Sequence, residues 1–122
     1  GRPRPVGLEC PMDVWGRTAP VTLPDGPAEV TTVPVDTDKI EEAAKILGAA
    51  KNPMIVVGGG AQDANVEVRR VAEMLEAPVC GFRLGRGVLD SRHHLSITMP
   101  TGHRLWKGVD VVLGVGTRMQ PH

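Results

Sequence analysis

The sequence has no tyrosine, one phenylalanine and two tryptophans in 122 residues. Any core must therefore be aliphatic, drawn from Val, Leu, Ile, Ala and Met. That balance suits a parallel sheet buried on both faces beneath alanine-rich helices. Net charge is missing too, since 14 basic and 14 acidic residues cancel. This removes the electrostatic signature of a general nucleic-acid or anionic-membrane binder. The two cysteines, Cys10 and Cys80, lie far apart without metal-ligand spacing. A disulfide framework is not expected, and a reduced, cytoplasmic setting is. No apolar run approaches the ~20 residues of a membrane span. The opening Gly1-Arg2-Pro3-Arg4-Pro5 leads into no apolar stretch of the signal-peptide kind. An initiator methionine is also missing, so the chain is expected to be a piece of a longer polypeptide. G-x-S-x-G, H-E-x-x-H and C-x-x-C are absent, as is a Walker lysine.

What is present is punctuated by 15 glycines and 11 prolines, concentrated at particular places. Residues 1–10 read as a short extended piece, Pro5-Val6-Gly7-Leu8-Glu9-Cys10. Residues 11–36 carry Pro11, Pro20, Pro24, Pro27 and Pro34 with Gly16 and Gly26, the pattern of a semi-extended linker. Order begins near Asp36, an N-cap candidate, with Glu41 and Glu42 placed in the first turn. Ile40, Ala43, Ala44, Leu47 and Ala50 follow at helical spacing, and Asn52-Pro53 ends the helix. Met54-Ile55-Val56-Val57 is an apolar run of the buried-strand type, broken by Gly58-Gly59-Gly60. Ala64, Val68, Val71, Ala72 and Leu75 line one face of a second helix. Pro78–Phe82 reads as a second strand, 83–104 as a Gly/Arg/His-rich stretch of loop or short helix, and Val109–Val115 as a third strand. The alternation predicts an α/β fold: a parallel sheet with helices on both faces, three layers, Rossmann-like. Three strands make a thin sheet, so the domain is expected to be incomplete at its C-terminus. The sheet edge left there predicts an exposed apolar patch and self-association.

Three glycine-bearing segments fall at the carboxyl ends of the predicted strands, where ligands of open α/β sheets collect. They are Gly58-Gly59-Gly60, Arg83-Leu84-Gly85-Arg86-Gly87 and Gly116-Thr117-Arg118. Glycine lets backbone approach a phosphate at a helix N-terminus, and guanidinium groups bind phosphate or carboxylate bidentately. The dinucleotide fingerprint is not met, because Asp63 occupies its third glycine position. Phe82 and Arg83 stand where a ribose-binding carboxylate belongs. Two readings remain open: an anion or nucleotide cleft, or tight structural turns with surface arginines. His93 and His94 are adjacent and would share no face in a helix or strand. Asp90 with Arg92 reads as a solvated turn.

Taken in order, these segments resemble one family. Gly1-Arg2-Pro3-Arg4-Pro5-Val6-Gly7-Leu8-Glu9-Cys10-Pro11-Met12-Asp13-Val14 is similar to the "GRPGPVxLEIPxDV" that closes the pyrimidine-binding domain of acetolactate synthase-like enzymes. Helix Ile40–Ala50 followed by Lys51-Asn52-Pro53-Met54-Ile55-Val56-Val57-Gly58-Gly59-Gly60 resembles the opening of that family's central domain. Pro78-Val79 with Gly85-Arg86-Gly87-Val88-Leu89 is similar to its "PV…GKGxxP", and residues 109–118 to its "ADLVLxVGxR". The resemblance divides the chain into 1–14, the end of a pyrimidine-binding domain; 15–36, a Pro-rich linker; and 37–122, an incomplete central α/β domain.

The resemblance implies a parent dependent on thiamine diphosphate and Mg that acts on 2-keto acids or related substrates by decarboxylation or C–C ligation. It implies flanking catalytic domains as partners and a homo-oligomeric assembly. The activating glutamate and the diphosphate- and metal-binding motif of such enzymes belong to the flanking domains, so this segment is expected to be inactive alone. In some members the central domain binds FAD or ADP. Those contacts map onto Gly58, Gly59 and Gly60, onto Phe82, Arg83 and Leu84, and onto Gly116 and Arg118. Flavin-binding members carry "GMHG" where this chain reads Met99-Pro100-Thr101-Gly102, and "RFDDR" where Arg118 is followed by Met119-Gln120-Pro121-His122. Other members use the domain only as a scaffold. A free-standing FAD- or ADP-binding regulatory module is the alternative, one that leaves residues 1–14 without a use.

Overall fold

The computed structural model describes residues 5–27, 29 and 32–119. Residues 1–4 of the family-like opening and 120–122 after the last strand lie outside the described residues. The chain divides into two compact units, one up to Pro34 and one from Val35 onward. In the first unit, the described residues form one regular element, a 3-10 turn at Met12–Val14. Its described side chains are exposed.

The second unit begins with helix α1, Thr37–Ala49. Asp36 caps it, its carboxylate accepting the Lys39 N–H at 3.2 Å. Glu41 and Glu42, expected in the first turn, fall in the second because the helix opens at Thr37. Strand β1, Pro53–Val57, follows, then a 3-10 turn at Gly59–Ala64 that runs into helix α2, Asn65–Leu75. Helix α2 ends at Glu76, whose left-handed backbone (φ 49°) returns its N–H to the Ala72 and Glu73 carbonyls. Strand β2, Val79–Gly81, leads to a 3-10 turn at Arg83–Gly85. Strand β3, Ser96–Ile97, helix α3, Met99–Leu105, and strand β4, Val111–Val115, complete the unit.

The sheet has four strands in the order β3-β2-β1-β4, and every neighbouring pair is parallel. The strand count corrects the expected three. β3 is two residues long, too short to show a period, and it lies inside the stretch expected to be irregular. β1, the most apolar run, takes an inner position, with Met54, Ile55 and Val57 each 1% exposed.

Alternation of side chains sorts the strands into two faces. Ile55, Val57 and Val79 pack with Val68 and Ala72 of α2 and with Ala77, Val88 and Leu89. Leu113 and Val115 join this cluster while half-buried. Cys80 points the other way, toward α3, with its Sγ 3.2 Å from Met99 Sδ. Gly102 of α3 passes so close that a β-carbon there would lie 3.0 Å from Cys80 Sγ. Helices thus cover both faces, giving the expected three-layer α/β, Rossmann-like arrangement. α1 departs from its helical reading: it has the predicted period but buries no residue, and Ile40 and Ile46 remain half exposed.

Candidate functional site

The carboxyl ends of β1, β2 and β4 bring together the three glycine-bearing segments. What they make there is a sealed joint. The Gly58 N–H donates to the Val115 carbonyl at 2.9 Å, and the Gly60 N–H to the Gly116 carbonyl at 3.1 Å. A β-carbon on Gly58 would lie 2.3 Å from the Gly116 oxygen, and one on Gly116 would lie 2.3 Å from the Gly60 carbonyl carbon. Gly116 also has φ +58°, the left-handed conformation glycine favours. These glycines permit backbone to approach backbone across the switch between β1 and β4. The Ala61 N–H turns back to the Gly58 carbonyl at 3.1 Å, so the Gly58, Gly60 and Ala61 amides are all committed to backbone carbonyls.

Gly59 faces the second segment instead, where its β-carbon would lie 3.0 Å from Leu84 Cβ. Gly85 is held closest of all: a β-carbon there would lie 2.0 Å from the Val57 carbonyl oxygen. Gln62 ties this segment down, its side-chain amide donating to the Leu84 carbonyl at 2.5 Å and to the Arg86 carbonyl at 3.2 Å. Neither the role of Gln62 nor the requirement for Gly85 was read from the sequence. An amide side chain just after a glycine triplet was the available signal. Arg83 is itself left-handed, at φ 46°, and its guanidinium lies 5.1 Å from the Phe82 ring centroid, a cation–π contact. Leu84 and Arg118 are exposed on the rim. Among the described residues neither Arg83 nor Arg118 forms an ion pair with a carboxylate.

The opposite end of the sheet is fastened by Asp110. Its Oδ2 accepts the Lys51 N–H at 2.7 Å and its Oδ1 the Asn52 N–H at 3.0 Å. The Lys51 amide foremost holds this carboxyl below its ordinary range, and the Asn52 amide adds to the effect.

Two cavities flank α2. One, of about 200 Å³, is lined by apolar side chains of α2, β1 and β4, with Glu67 at its margin. The other, of about 460 Å³, lies between the start of α2 and residues 87–93. Its charges are internally paired. Arg69 reaches Glu73 at 2.7 Å, and Arg92 reaches Asp90 at 2.8 Å in the solvated turn expected there. The Arg92 guanidinium lowers the Asp90 carboxyl to about 2, and the Arg69 hydrogen bond, with His93 second, lowers Glu73. His93 Nδ1 accepts the Leu95 N–H at 3.2 Å, so a neutral ring carries its proton on Nε2, facing Glu73 Oε1 at 3.1 Å. His93 and His94 stack with centroids 4.6 Å apart. They meet because this segment is turn, where the face rule of helices and strands does not hold. Among the described residues no cluster of three His, Cys, Asp or Glu side chains could hold a metal ion. Also among them, no helix is long and apolar enough to cross a membrane.

An open, doubly covered parallel sheet with glycine turns at its carboxyl edge defines a Rossmann-like α/β domain. Residues 40–122 match the model of the family described as thiamine pyrophosphate enzyme, central domain, and the chain belongs to that family. It is 33% identical over 129 residues to the acetolactate synthase large subunit of Corynebacterium glutamicum, covering 97% of this chain and 21% of that protein. It is 35% identical over 126 residues to a probable 2-ketoarginine decarboxylase of Pseudomonas aeruginosa, covering 97% and 22%. An X-ray structure from Mycobacterium smegmatis, described as that of a thiamin diphosphate-dependent enzyme, superposes with TM-score 0.53 at 30% identity. That match covers 80% of this chain and 22% of the other. The chain thus spans about a fifth of the length of these relatives.

Proposed function

We propose that this chain is the middle domain of a thiamine-diphosphate- and Mg-dependent enzyme that decarboxylates or ligates 2-keto acids, and that it contributes scaffolding to the reaction. The observation that carries this reading is the joint between Gly58-Gly59-Gly60 and Gly116. There the Gly58 and Gly60 amides, which could otherwise meet a ligand, are spent on the backbone carbonyls of Val115 and Gly116. The substrate class follows the names of the relatives, acetolactate synthase and 2-ketoarginine decarboxylase. In this reading, which rests on the family resemblance, thiamine diphosphate and Mg belong to flanking domains and the 122-residue chain alone is inactive. Residues 1–14 then close the preceding domain, and 15–36 link it to this one. The parent enzyme is homo-oligomeric and cytoplasmic.

A second reading keeps the rim as a nucleotide site. Arg83 and Arg118 form no ion pair with a carboxylate among the described residues, and both are exposed, as are Gly59 and Leu84. That arrangement suits the diphosphate of FAD or ADP, whether in the enzyme or in a free-standing regulatory module. Calorimetric titration of the chain with FAD and with ADP separates the two readings. The scaffold reading expects no saturable heat. Saturable binding that Arg118→Ala abolishes would replace it with the nucleotide site.

A further inference from the structure

Among the described histidines, His93 alone has a ring withdrawn from solvent, its side chain 12% exposed, while His94 and His103 stand exposed. Both of its ring nitrogens are in use. Nε2 faces Glu73 of α2, and Nδ1 accepts the Leu95 N–H. Leu95 is where the chain enters β3, and its carbonyl accepts the Val79 N–H of β2 at 2.8 Å. β3 itself is held to β2 by two residue pairs, Val79 with Ser96 and Cys80 with Ile97. The turn before it is closed by the His93 N–H on the Asp90 carbonyl and the Ser96 N–H on the His93 carbonyl, each at 2.9 Å. The His93 ring therefore bridges α2 to the approach of β3.

Imidazole is the side chain whose charge changes between about pH 5 and 8. The Leu95 N–H occupies the one lone pair that a neutral ring offers, on Nδ1. A proton arriving there from solvent sets two N–H donors head to head, and the Leu95 bond must break. At the other nitrogen the same charge is favoured, because Nε2–H then donates to the Glu73 carboxylate as half of an ion pair. The neutral ring thus holds Glu73 and Leu95 together, and the charged ring holds Glu73 alone. The other charges facing it come in two cancelling pairs, Arg69 with Glu73 on α2 and Asp90 with Arg92 on the turn. His94, stacked with centroids 4.6 Å apart, is the remaining titratable neighbour, and a proton on it opposes one on His93. We infer that His93 is a pH-sensitive latch, whose protonation at Nδ1 frees the Leu95 amide and loosens the turn at 90–95 while the ring stays on Glu73. Val88 and Leu89, 2% and 6% exposed, remain in the core and bound the movement on one side. The Leu95 side chain, packed against the same core, bounds it on the other. Asp90, Ser91 and His93 belong to the wall of the cavity of about 460 Å³, so opening the latch reshapes that cavity. The device is the same under either reading of the rim.

The test is nuclear magnetic resonance of the ¹⁵N-labelled 122-residue chain between about pH 5 and 8. Ring nitrogen shifts report the tautomer. Amide exchange, expressed as a protection factor relative to an unstructured chain, reports the Leu95 bond. At the alkaline end His93 is expected as the Nε2–H form with the Leu95 amide protected. As pH falls, Leu95 protection should drop about tenfold, the scale of one net hydrogen bond, with the same midpoint as the His93 ring. The Ile55 amide, bonded to the Pro78 carbonyl between β1 and β2, should keep its protection. His93→Asn leaves an acceptor in place of Nδ1 that does not titrate, so Leu95 protection should stay flat across the range. His94→Gln should leave the step in place, and its disappearance there would assign the switch to His94 and overturn the inference. An Nδ1–H tautomer at the alkaline end also overturns it. So does Leu95 protection that ignores the His93 titration in the wild-type chain, a readout that needs no variant to fold.

Discussion

Four glycine-to-alanine substitutions separate backbone conformation from backbone contact at the sealed joint. Gly48 sits in α1 with open space around its β-position. Alanine there removes helix-interior glycine and stabilises by up to about 1 kcal/mol. Gly87 has φ +90° and nothing within 4 Å, so alanine incurs only the left-handed penalty, about 1–2 kcal/mol. Gly58 is the converse, with ordinary extended backbone at φ −118° and a β-position 2.3 Å from the Gly116 oxygen. Overpacking costs about 1–3 kcal/mol, and parting the loops forfeits the Gly60–Gly116 hydrogen bond, about 1 kcal/mol more. Gly116 combines both penalties and should lose about 2–5 kcal/mol. At ~0.05–0.15 kcal/mol per residue a domain of this size has about 4–13 kcal/mol in total, so Gly116→Ala lies near the limit of what folds. Urea unfolding followed by far-UV circular dichroism reads all four by linear extrapolation. Gly58→Ala with Gly116→Ala should cost less than the sum, since one displacement of the loops relieves both clashes. If Gly58→Ala lies within about 0.5 kcal/mol of wild type, the size of an ordinary surface change, the loops are not locked and the scaffold argument fails with them.

Met54→Ala, emptying a side chain 1% exposed in the inner strand, should cost about 2–5 kcal/mol in the same assay. Asp110→Asn tests the fastening at the other end of the sheet. The folded carboxyl is held below its unfolded value by amides 58 and 59 residues away in sequence. Its contribution is therefore full above the unfolded pKa and lost as pH falls through the folded one. The stability gap between wild type and variant should be constant above about pH 5 and close below about pH 4, which urea titrations at stepped pH will show. A thiol reagent at mild alkaline pH should modify exposed Cys10 at once. Cys80 should react only on unfolding, because it is 3% exposed and burial raises its pKa.

The elements legible in the sequence were those with a long enough signal. β1 and β4 announced themselves as apolar runs, α2 as a clean helical stripe, and Asp36 as a cap that the structure bears out at the Lys39 amide. β3 was illegible because two residues carry no period, and its place beside β2 is fixed by tertiary pairing. The glycine segments were correctly placed at the carboxyl edge, yet sequence left open whether Gly58 and Gly60 face a phosphate or a peptide. That depended on Gly116, whose arrival opposite them is a long-range fact. Gln62 was passed over, and Gly85 was placed at the edge without its close contact, for the same reason: their partners lie across the turn between two strands. For α1 the pattern was right, but burial also needs a neighbour, and period alone supplies none.

The placement of β1 between β2 and β4 has a consequence for synthesis on the ribosome. β1 emerges first, β2 pairs with one of its edges soon after, and its other edge waits for a strand 58 residues downstream. At roughly 5–20 residues per second that wait is about 3–12 s, long compared with the about 1–10 µs in which a hairpin forms. Throughout it the most apolar strand of the chain presents an unpaired edge to the cell. The last seconds of translation of this segment are therefore when a nascent chain is most open to capture by a chaperone or by a neighbouring copy.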